Sequence, residues 1–292
     1  MNIVIVGEGE RAAWVERALG RLRSLAGLDG EGTTRLVHGG PDPGSLHVLA
    51  HEPIDAVVAV DAASLAQGPV HDQVAWREIV RRDALRAIYI REVVVRTGCR
   101  AVPLVGNDPT AWLGALARLL SLSSIDTIGA EELPAPDIGP VVQSPLVESY
   151  LVPLWSAAAT QAPLVITWPR ECFLDGDLPN EPLGPMMELA GRARILSYGP
   201  YLPLPAGSWR ATAYFGFSSD IERLPFIFEV LTPPGITRGF FEVETGGFFT
   251  LELDFQVTDP FAQIEMRLAS QDSALEGQAA LIEVHLEAVV QP

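Results

Sequence analysis

Along the C-terminal third of the chain, apolar and polar residues alternate one by one. Between Trp209 and Phe217 every second side chain is apolar, and Arg210, Thr212 and Tyr214 lie between them. Successive residues of a β-strand point to opposite faces, so this pattern predicts strands with one buried and one exposed face. Several such runs are typical of an antiparallel sandwich, which we expect over residues 195–292 with a jelly-roll-like order. The residues predicted to point inward are Trp209, Ala211, Ala213, Phe215, Phe217, Phe249, Leu251, Leu253, Phe255, Val257, Ile264, Met266, Leu268, Ile282, Val284 and Leu286.

Residues 1–132 show a different pattern, in which short apolar runs alternate with longer stretches of helical periodicity. This order is typical of an α/β domain with an open parallel sheet and resembles a Rossmann-like fold. We expect Asp108 to cap a helix that begins at Pro109 and runs to about Leu122. The other predicted strands are Ile3–Val6, Thr34–Val37, Ala56–Val60 and Ala101–Val105, and the other predicted helices are Glu10–Leu25 and Val74–Arg96.

The segment 133–194 is rich in proline, since 13 of the 24 prolines lie between Pro134 and Pro205. Proline cannot donate to a sheet ladder and it breaks helices, so we predict a mostly extended connector. One helical stretch is expected near Val147–Ala159. The segment is too apolar for a solvated linker, so we expect it to pack on the domains; the apolar residues concerned are Leu151, Leu154, Trp155, Leu164, Ile166 and Trp168.

The composition narrows the classes of function. The net charge is −17, and all 20 basic residues are arginines. A chain this acidic is repelled by nucleic acid phosphates and by anionic lipids, so we expect neither as a partner. Without lysine the chain cannot perform Schiff-base chemistry or form a Walker-A phosphate loop.

The sequence also bears on location. The N-terminus lacks the basic segment and apolar core of a signal peptide, and no run of about 18 apolar residues follows. We therefore expect no membrane insertion and a cytoplasmic location, or association with a surface or particle if the protein is an assembly component. Cys99 and Cys172 are too few for a disulfide framework or a multi-cysteine zinc site.

A glycine-containing segment follows the first predicted strand and opens the first predicted helix. It fits the G-x-G-x-x-A form of a dinucleotide-binding turn, in which backbone amides hold a pyrophosphate. Glu8 and Glu10 would place negative charge beside the phosphates, and no acidic partner for a ribose follows the second strand. A tight strand-to-helix turn is the alternative, and no cofactor is identified. The residues that would bind the cofactor are Gly7, Gly9 and Ala12.

Arginines are concentrated between residues 77 and 100. Several are spaced as helical neighbours and could bind an anionic sugar or a nucleotide phosphate. They could instead pair with the surplus carboxylates, internally or across a homo-oligomer interface, and we favour this second interpretation. The seven are Arg77, Arg81, Arg82, Arg86, Arg91, Arg96 and Arg100.

Signs of catalysis or metal binding are lacking in the sequence. His38, His47 and His51 are close together, but no accompanying carboxylates give them the spacing of a metal site. A G-x-S-x-G nucleophile motif is absent, and Cys172 lacks an evident partner base. No catalytic residue is predicted, and whether the protein is an enzyme is left open.

The run from Tyr198 to Trp209 reads YGPY-x-x-LPAGSW and is followed by alternating strands. With those strands, over residues 192–290, it resembles the carbohydrate-binding-like β-sandwich modules attached to bacterial glycosyltransferases and other surface-polysaccharide proteins. The resemblance implies a carbohydrate or polysaccharide partner. Its glycine and proline pairs are also ordinary turn residues, so the motif is equally compatible with a purely architectural role.

The alternation itself suggests a ligand-binding surface on the outer side of the sandwich. Carboxylates, amides and aromatic rings are the groups that recognise sugars, through hydrogen bonds and stacking. The predicted function is non-catalytic binding or assembly on a surface polysaccharide. The alternatives are an enzyme of nucleotide-sugar or glycan metabolism, and a phage-like spike that attaches to a capsule. The predicted ligand-binding residues are Arg210, Thr212, Tyr214, Glu252 and Asp254.

Overall fold

The computed structural model describes residues 1–7, 9–28, 32–37, 53–60, 73–104, 108–122, 144–160, 163–221 and 223–289. The chain divides into two compact units. The first consists of Met1–Val142 with Trp155–Gln161, and the second of Gln143–Leu154 with Ala162–Pro292. Each unit has a sheet architecture of its own.

The first unit contains a four-stranded parallel sheet of order β2-β1-β3-β4. Helices follow β1, β3 and β4 in the chain, which is the α/β order expected from the sequence. The described residues show this small parallel sheet but not the larger doubly wound sheet of a complete Rossmann fold. The strands are β1 (Ile3–Val6), β2 (Thr34–Val37), β3 (Ala56–Val60) and β4 (Arg100–Leu104), and the helices are α1 (Gly9–Leu25), α2 (Gln73–Thr97) and α3 (Pro109–Leu119).

Helices α1 and α3 share a core with one face of this sheet. The rings of Trp14 and Trp112 meet edge to face with centroids 5.9 Å apart, and both are buried. Asp108 caps α3 as predicted, because its Oδ1 accepts hydrogen bonds from the backbone nitrogens of Thr110 (2.9 Å) and Ala111 (3.2 Å). The helix ends at Leu119, short of the expected Leu122.

The second unit is a sandwich of two antiparallel sheets, as the alternation predicted. The front sheet has the order β11-β10-β13-β8-β6, and the rear sheet has the order β12-β9-β14-β5, with β7 also paired to β14. The strands are β5 (Val165–Pro169), β6 (Leu174–Asp175), β7 (Met187–Glu188), β8 (Ile195–Leu202), β9 (Gly207–Phe217), β10 (Leu224–Thr232), β11 (Gly235–Val243), β12 (Gly247–Val257), β13 (Ile264–Ser270) and β14 (Gln278–Val289).

The core of the sandwich is largely aromatic. Phe215 and Phe217 of the rear sheet meet Phe226 and Phe241 of the front sheet, with ring centroids 5.8 Å apart for Phe215 and Phe241 and 4.9 Å for Phe217 and Phe226. Inner faces that interdigitate in this way are what hold two sheets together. Trp209, Phe215 and Phe255 are buried as predicted, whereas Phe249 is only half-buried near the edge of the rear sheet.

The sandwich begins earlier in the chain than residue 195, where the sequence placed it. Strand β5 pairs with β14 and β6 pairs with β8, so part of the expected connector belongs to the sheets. Pro169 is tolerated because β5 is an edge strand and Pro169 is its last residue, where no ladder donor is needed. The expected helix is present as a π-helical turn (Val147–Leu151) followed by α4 (Val152–Thr160). Residues 133–143 of the expected connector lie outside the described residues.

Ile282 was expected to point inward, and this expectation was wrong. The register of β14 against β9 shifts between Leu281 and Glu283, which is the mark of a β-bulge. One extra residue reverses the alternation, so Leu281 and Val284 are buried while Ile282 is 44% exposed.

Candidate functional site

The five residues predicted to bind a ligand lie together on the outer surface of the rear sheet, which we call the rear face. Arg210 is directly opposite Asp254 in the register of β9 and β12, and Thr212 is opposite Glu252. Tyr214 lies two residues further along the same side of β9. The alternation therefore placed all five side chains on one surface.

An exposed ion pair dominates one end of this set. The Arg210 guanidinium donates from Nε to Asp254 Oδ1 (2.7 Å) and from Nη2 to Oδ2 (3.0 Å). This hydrogen bonding lowers the pKa of Asp254 and raises the pKa of Arg210. The side chains are 45% and 64% exposed, so water and salt screen the pair. The geometry of such an exposed pair is only loosely held.

A second polar surface lies on the outer side of the front sheet, which we call the front face. Glu229 of β10 is opposite Arg238 of β11 on one side and Arg267 of β13 on the other. Arg238 Nε donates to Glu229 Oε1 at 2.7 Å. Arg267 donates from Nε and Nη2 to the two carboxylate oxygens of Glu265, at 2.6 and 3.0 Å. Guanidinium and carboxylate groups thus alternate across three neighbouring strands.

The carboxylates of the front face are more enclosed than those of the rear face. The side chains of Glu229 and Glu265 are 15% and 13% exposed. Partial burial strengthens their hydrogen bonds and limits the conformations of the paired guanidinium groups. The hydrogen bonds that Arg267 donates to Glu265 raise the pKa of Arg267. The front face therefore presents acceptors that are more enclosed than those of the rear face, together with guanidinium donors that are 51% (Arg238) and 31% (Arg267) exposed.

Two tyrosines extend this polar set onto β8. Tyr198 is opposite Arg267 in the register, and its ring meets that of Tyr201 edge to face with centroids 6.2 Å apart. The Tyr198 hydroxyl accepts a hydrogen bond from the backbone nitrogen of Asn180 (3.2 Å). Burial first, and then the charge and hydrogen bonding of Glu265, raise the pKa of Tyr201 to about 12. Both rings are half-buried and so leave part of their surface to solvent.

Apolar side chains lie beside these polar groups on the front face. Phe240 of β11 is 67% exposed and is opposite Ile227 of β10, which is in turn opposite Ala269 of β13 and then Ile195 of β8. An exposed phenylalanine on a sheet surface is a stacking platform for an apolar ligand face. The front face thus combines a charged row and an apolar row that run side by side across the strands.

The sequence contained part of this arrangement. Glu265 and Arg267 stand between the inward-pointing Ile264, Met266 and Leu268, so alternation places them outside. Alternation does not predict that β13 pairs with β10 and β8. This pairing brings the tyrosines and Glu229 beside Glu265 and Arg267. The front face was therefore missed because its members lie on four strands separated in the sequence.

The predicted cofactor turn has a packing explanation. A Cβ atom on Gly7 would lie 2.9 Å from Val60 Cβ and 3.3 Å from Ala12 Cβ, so only glycine fits between β3 and α1. Ala12 is fully buried, and Gly9 is the first residue of α1. Glu8 lies outside the described residues. This crowding accounts for Gly7 and Ala12 without a bound nucleotide.

The arginines of α2 show several pairings with carboxylates of the same helix. Arg86 and Asp83 form a buried pair with Nη1 and Oδ1 2.8 Å apart, and Arg81 pairs with Glu78 at 2.6 Å. Arg91 Nη1 donates to the carbonyl oxygen of Ala157 (3.1 Å). Pairing of the arginines with carboxylates is the interpretation that we favoured from the sequence, instead of a cluster that binds phosphate.

The described residues also bear on metal binding, thiol chemistry and membrane insertion. No group of three or more His, Cys, Asp or Glu side chains suited to a metal ion occurs in the described part of the chain. Cys99 and Cys172 are both buried free thiols. None of the described helices is long and apolar enough to cross a membrane. His38, His47 and His51 lie outside the described residues.

Comparison with known proteins gave only distant likenesses. No family model matches the chain, and no curated protein sequence matches it. Among solved structures, TmCBM61 in complex with β-1,4-galactotriose is 13% identical over 43% of this chain and 88% of its own, with a TM-score of 0.27. The C-terminal CBM6 of LamC from Zobellia galactanivorans is 9% identical over 42% of this chain and 98% of its own, with a TM-score of 0.25.

A third similar structure contains the CBM22-1 and GH10 modules of xylanase 10B from Clostridium thermocellum, complexed with xylohexaose. It is 7% identical over 42% of this chain and 27% of its own, with a TM-score of 0.27. All three structures contain a carbohydrate-binding module.

Proposed function

We propose that the second unit is a non-catalytic carbohydrate-binding module whose ligand lies on the front face. The observation that supports this proposal is the row of half-buried ion pairs joined to two tyrosines and flanked by Phe240. Carboxylate and guanidinium groups held in place can accept from and donate to neighbouring hydroxyl groups of one sugar. Because the protein already restricts them, less conformational entropy is lost when a ligand binds.

The four paired charges of the front face favour a neutral ligand. Arg238 and Arg267 balance Glu229 and Glu265, so the four side chains sum to zero. Each charge is satisfied by a partner on the protein, and an ionic ligand would have to compete with that partner. Sugar hydroxyls need only the remaining lone pairs and N–H groups.

The extent of the front face favours a chain of several sugars over a single sugar. Its charged row crosses β11, β10, β13 and β8. Neighbouring strands lie about 4.8 Å apart, so the row spans roughly 14 Å. An oligosaccharide running across the strands would place one end near Tyr198 and Tyr201 and the other near Phe240. The proposed source of the oligosaccharide is a bacterial surface polysaccharide. In the corresponding assembly function, the protein, or a particle that carries it, attaches to that polysaccharide.

The test is a glycan array that includes neutral and acidic bacterial polysaccharides, followed by titration calorimetry with the best neutral oligosaccharide. Tyr198→Ala should weaken binding about fivefold, since an aromatic contact contributes about 1 kcal/mol beyond its buried area. Arg238→Ala should also weaken it. Arg210→Ala is the matched control, because Arg210 is a similarly exposed, ion-paired arginine on the rear face. A chain that binds no glycan, or front-face variants that bind like the parent, would refute the proposal.

A nucleotide-dependent enzyme is the second candidate, and one feature of the first unit supports it. The strand order β2-β1-β3-β4 reverses direction between β1 and β3, and Gly7 lies at the carboxyl end of β1. Ligands of open α/β sheets bind at such a reversal. Thermal-shift measurements with dinucleotides and nucleotide sugars test it, because a ligand at 100 times its Kd stabilises by about 2.7 kcal/mol. The absence of any shift would remove this candidate.

A further inference from the structure

The rear face contains an exposed apolar patch that the proposed front-face function does not use. Phe248 of β12 is 87% exposed, and Ile282 is turned outward by the bulge in β14. Gly216 is opposite Phe248 on one side and Ala280 on the other. A Cβ on Gly216 would be 3.6 Å from Phe248 Cε1 and 3.8 Å from Ala280 Cβ, so the phenylalanine ring lies beside bare backbone. A ring so placed keeps most of its surface open to a ligand.

A second aromatic pair adjoins this patch. Tyr214 lies across the ladder from Thr250 on β12 and from Glu283 on β14. Its ring meets that of His285 edge to face with centroids 5.0 Å apart, and His285 Nε2 lies 2.8 Å from Glu283 Oε1. The rear face therefore continues from Phe248 to Tyr214 as an aromatic surface with a carboxylate beside it.

The charge of the rear face distinguishes it from the front face. Glu252, Asp254, Glu283 and Glu287 point outward from β12 and β14, and Arg210 is the arginine among them. Asp254 is neutralised by Arg210. The carboxylates exceed the basic side chains of this face by three charges with His285 uncharged, and by two with His285 protonated. A ligand that complements this surface is cationic, and a second copy of the same face is repelled.

Hydroxyl groups lie among these carboxylates. Thr212 is opposite Glu252 on one side and His285 on the other, and Thr167 of β5 is opposite His285 from the far side. A sugar that bears an amino group uses the carboxylates, the hydroxyls and the aromatic rings.

We propose that the rear face is a separate binding site for a polysaccharide of protonated amino sugars. The sugar rings stack on Phe248 and Tyr214, and the ammonium groups lie near Glu252 and Glu283. Arg210 limits the affinity because it occupies Asp254 and repels a cation. The two sheets of the sandwich would then bind two ligands that differ in charge.

The experiment uses two probes of equal length, the glucosamine hexamer and the N-acetylglucosamine hexamer, which differ by the acetyl groups that remove the charge of the nitrogens. Calorimetry at mildly acidic pH keeps the amines protonated and most carboxylates ionised. The glucosamine hexamer should bind at least about tenfold more tightly than the acetylated one. Its affinity should fall as sodium chloride is raised, because exposed charges are screened within about 10 Å at 0.1 M salt.

Three full-chain variants identify the face. Phe248→Ala should weaken glucosamine binding about fivefold, the loss expected for an exposed cation–aromatic contact of about 1 kcal/mol. The double variant Glu252→Gln, Glu283→Gln should weaken it about three- to tenfold, as expected for two exposed ion pairs. Arg210→Ala should strengthen it, because it frees Asp254. A change of the opposite sign is a readout that damage to the fold would not produce.

Leu275→Ala is the control and should leave glucosamine binding unchanged, because Leu275 is 99% exposed in the loop between β13 and β14 and belongs to neither face. Equal binding of the two hexamers, no binding, or insensitivity to Phe248→Ala would overturn the proposal. So would stronger binding of an oligolysine peptide than of the glucosamine hexamer. A front face that binds no neutral glycan refutes only the function proposed above, because that result comes from other probes.

Discussion

Two phenylalanine-to-alanine substitutions provide a direct test of which aromatic side chains hold the sandwich together. Phe215 is 1% exposed, and its ring contacts Phe228 of the opposite sheet (5.7 Å between centroids), Phe241 (5.8 Å) and Phe217 (6.2 Å). Phe248 is 87% exposed. The same truncation therefore removes a core contact in one case and a surface ring in the other.

The expected free-energy costs differ widely. Truncating a buried phenylalanine removes its transfer free energy and leaves a cavity, so Phe215→Ala should lower the free energy of unfolding by about 4 kcal/mol. Phe248→Ala should change it by less than about 0.5 kcal/mol. Phe215→Leu fills most of the volume and should cost only about 1.5 kcal/mol.

Urea titration of the full chain, followed by tryptophan fluorescence and circular dichroism, measures these differences. With a slope of about 2 kcal/mol per molar urea, Phe215→Ala should move the midpoint of the affected transition by about 2 M. Equal shifts for Phe215→Ala and Phe248→Ala would refute the assignment of core and surface. Such a result would also remove the basis for treating Phe248 as a ligand platform.

Two further substitutions follow from the geometry. Leu281→Ser should destabilise the sandwich by several kcal/mol in urea titration because it puts a hydroxyl in the core, whereas Ile282→Ser should be nearly neutral; the reverse order would contradict the bulge. The pKa of Tyr201 is raised to about 12 in the folded chain, so between about pH 10 and 12 the unfolded state loses this proton first and stability falls. Tyr201→Phe should make that alkaline loss smaller and remove one late-ionising tyrosine from the ultraviolet titration, and an unchanged titration would contradict the raised pKa.

The sequence by itself determined most local structure of the described residues. The short apolar runs at Ile3–Val6 and Ala56–Val60 became parallel strands, because a continuous run of apolar residues can be buried on both faces. Asp108 before Pro109 marked a helix start, since an aspartate side chain can accept from the first free backbone amides. Alternation placed Arg210 and Glu252 on one outer surface, because side-chain direction along a strand is a local property.

The sequence alone did not predict how the strands pair, and strand pairing decided the remaining features of the fold and of the candidate site. The bulge at Leu281 and Glu283 depends on how β14 meets β9, so alternation alone misplaced Ile282. Pro169 suggested a connector, but an edge position in the sheet made a strand acceptable there.

The front face shows the same limit most clearly. Its tyrosines, glutamates and arginines come from β8, β10, β11 and β13, and each strand taken separately contributes only one or two unremarkable polar residues. Register brings Glu229 between Arg238 and Arg267, and the fold leaves the Glu229 side chain only 15% exposed. Local sequence specifies which side of a strand a residue occupies. Only the tertiary structure, through hydrogen-bonded pairing of distant segments, decides which residues become neighbours across the sheet.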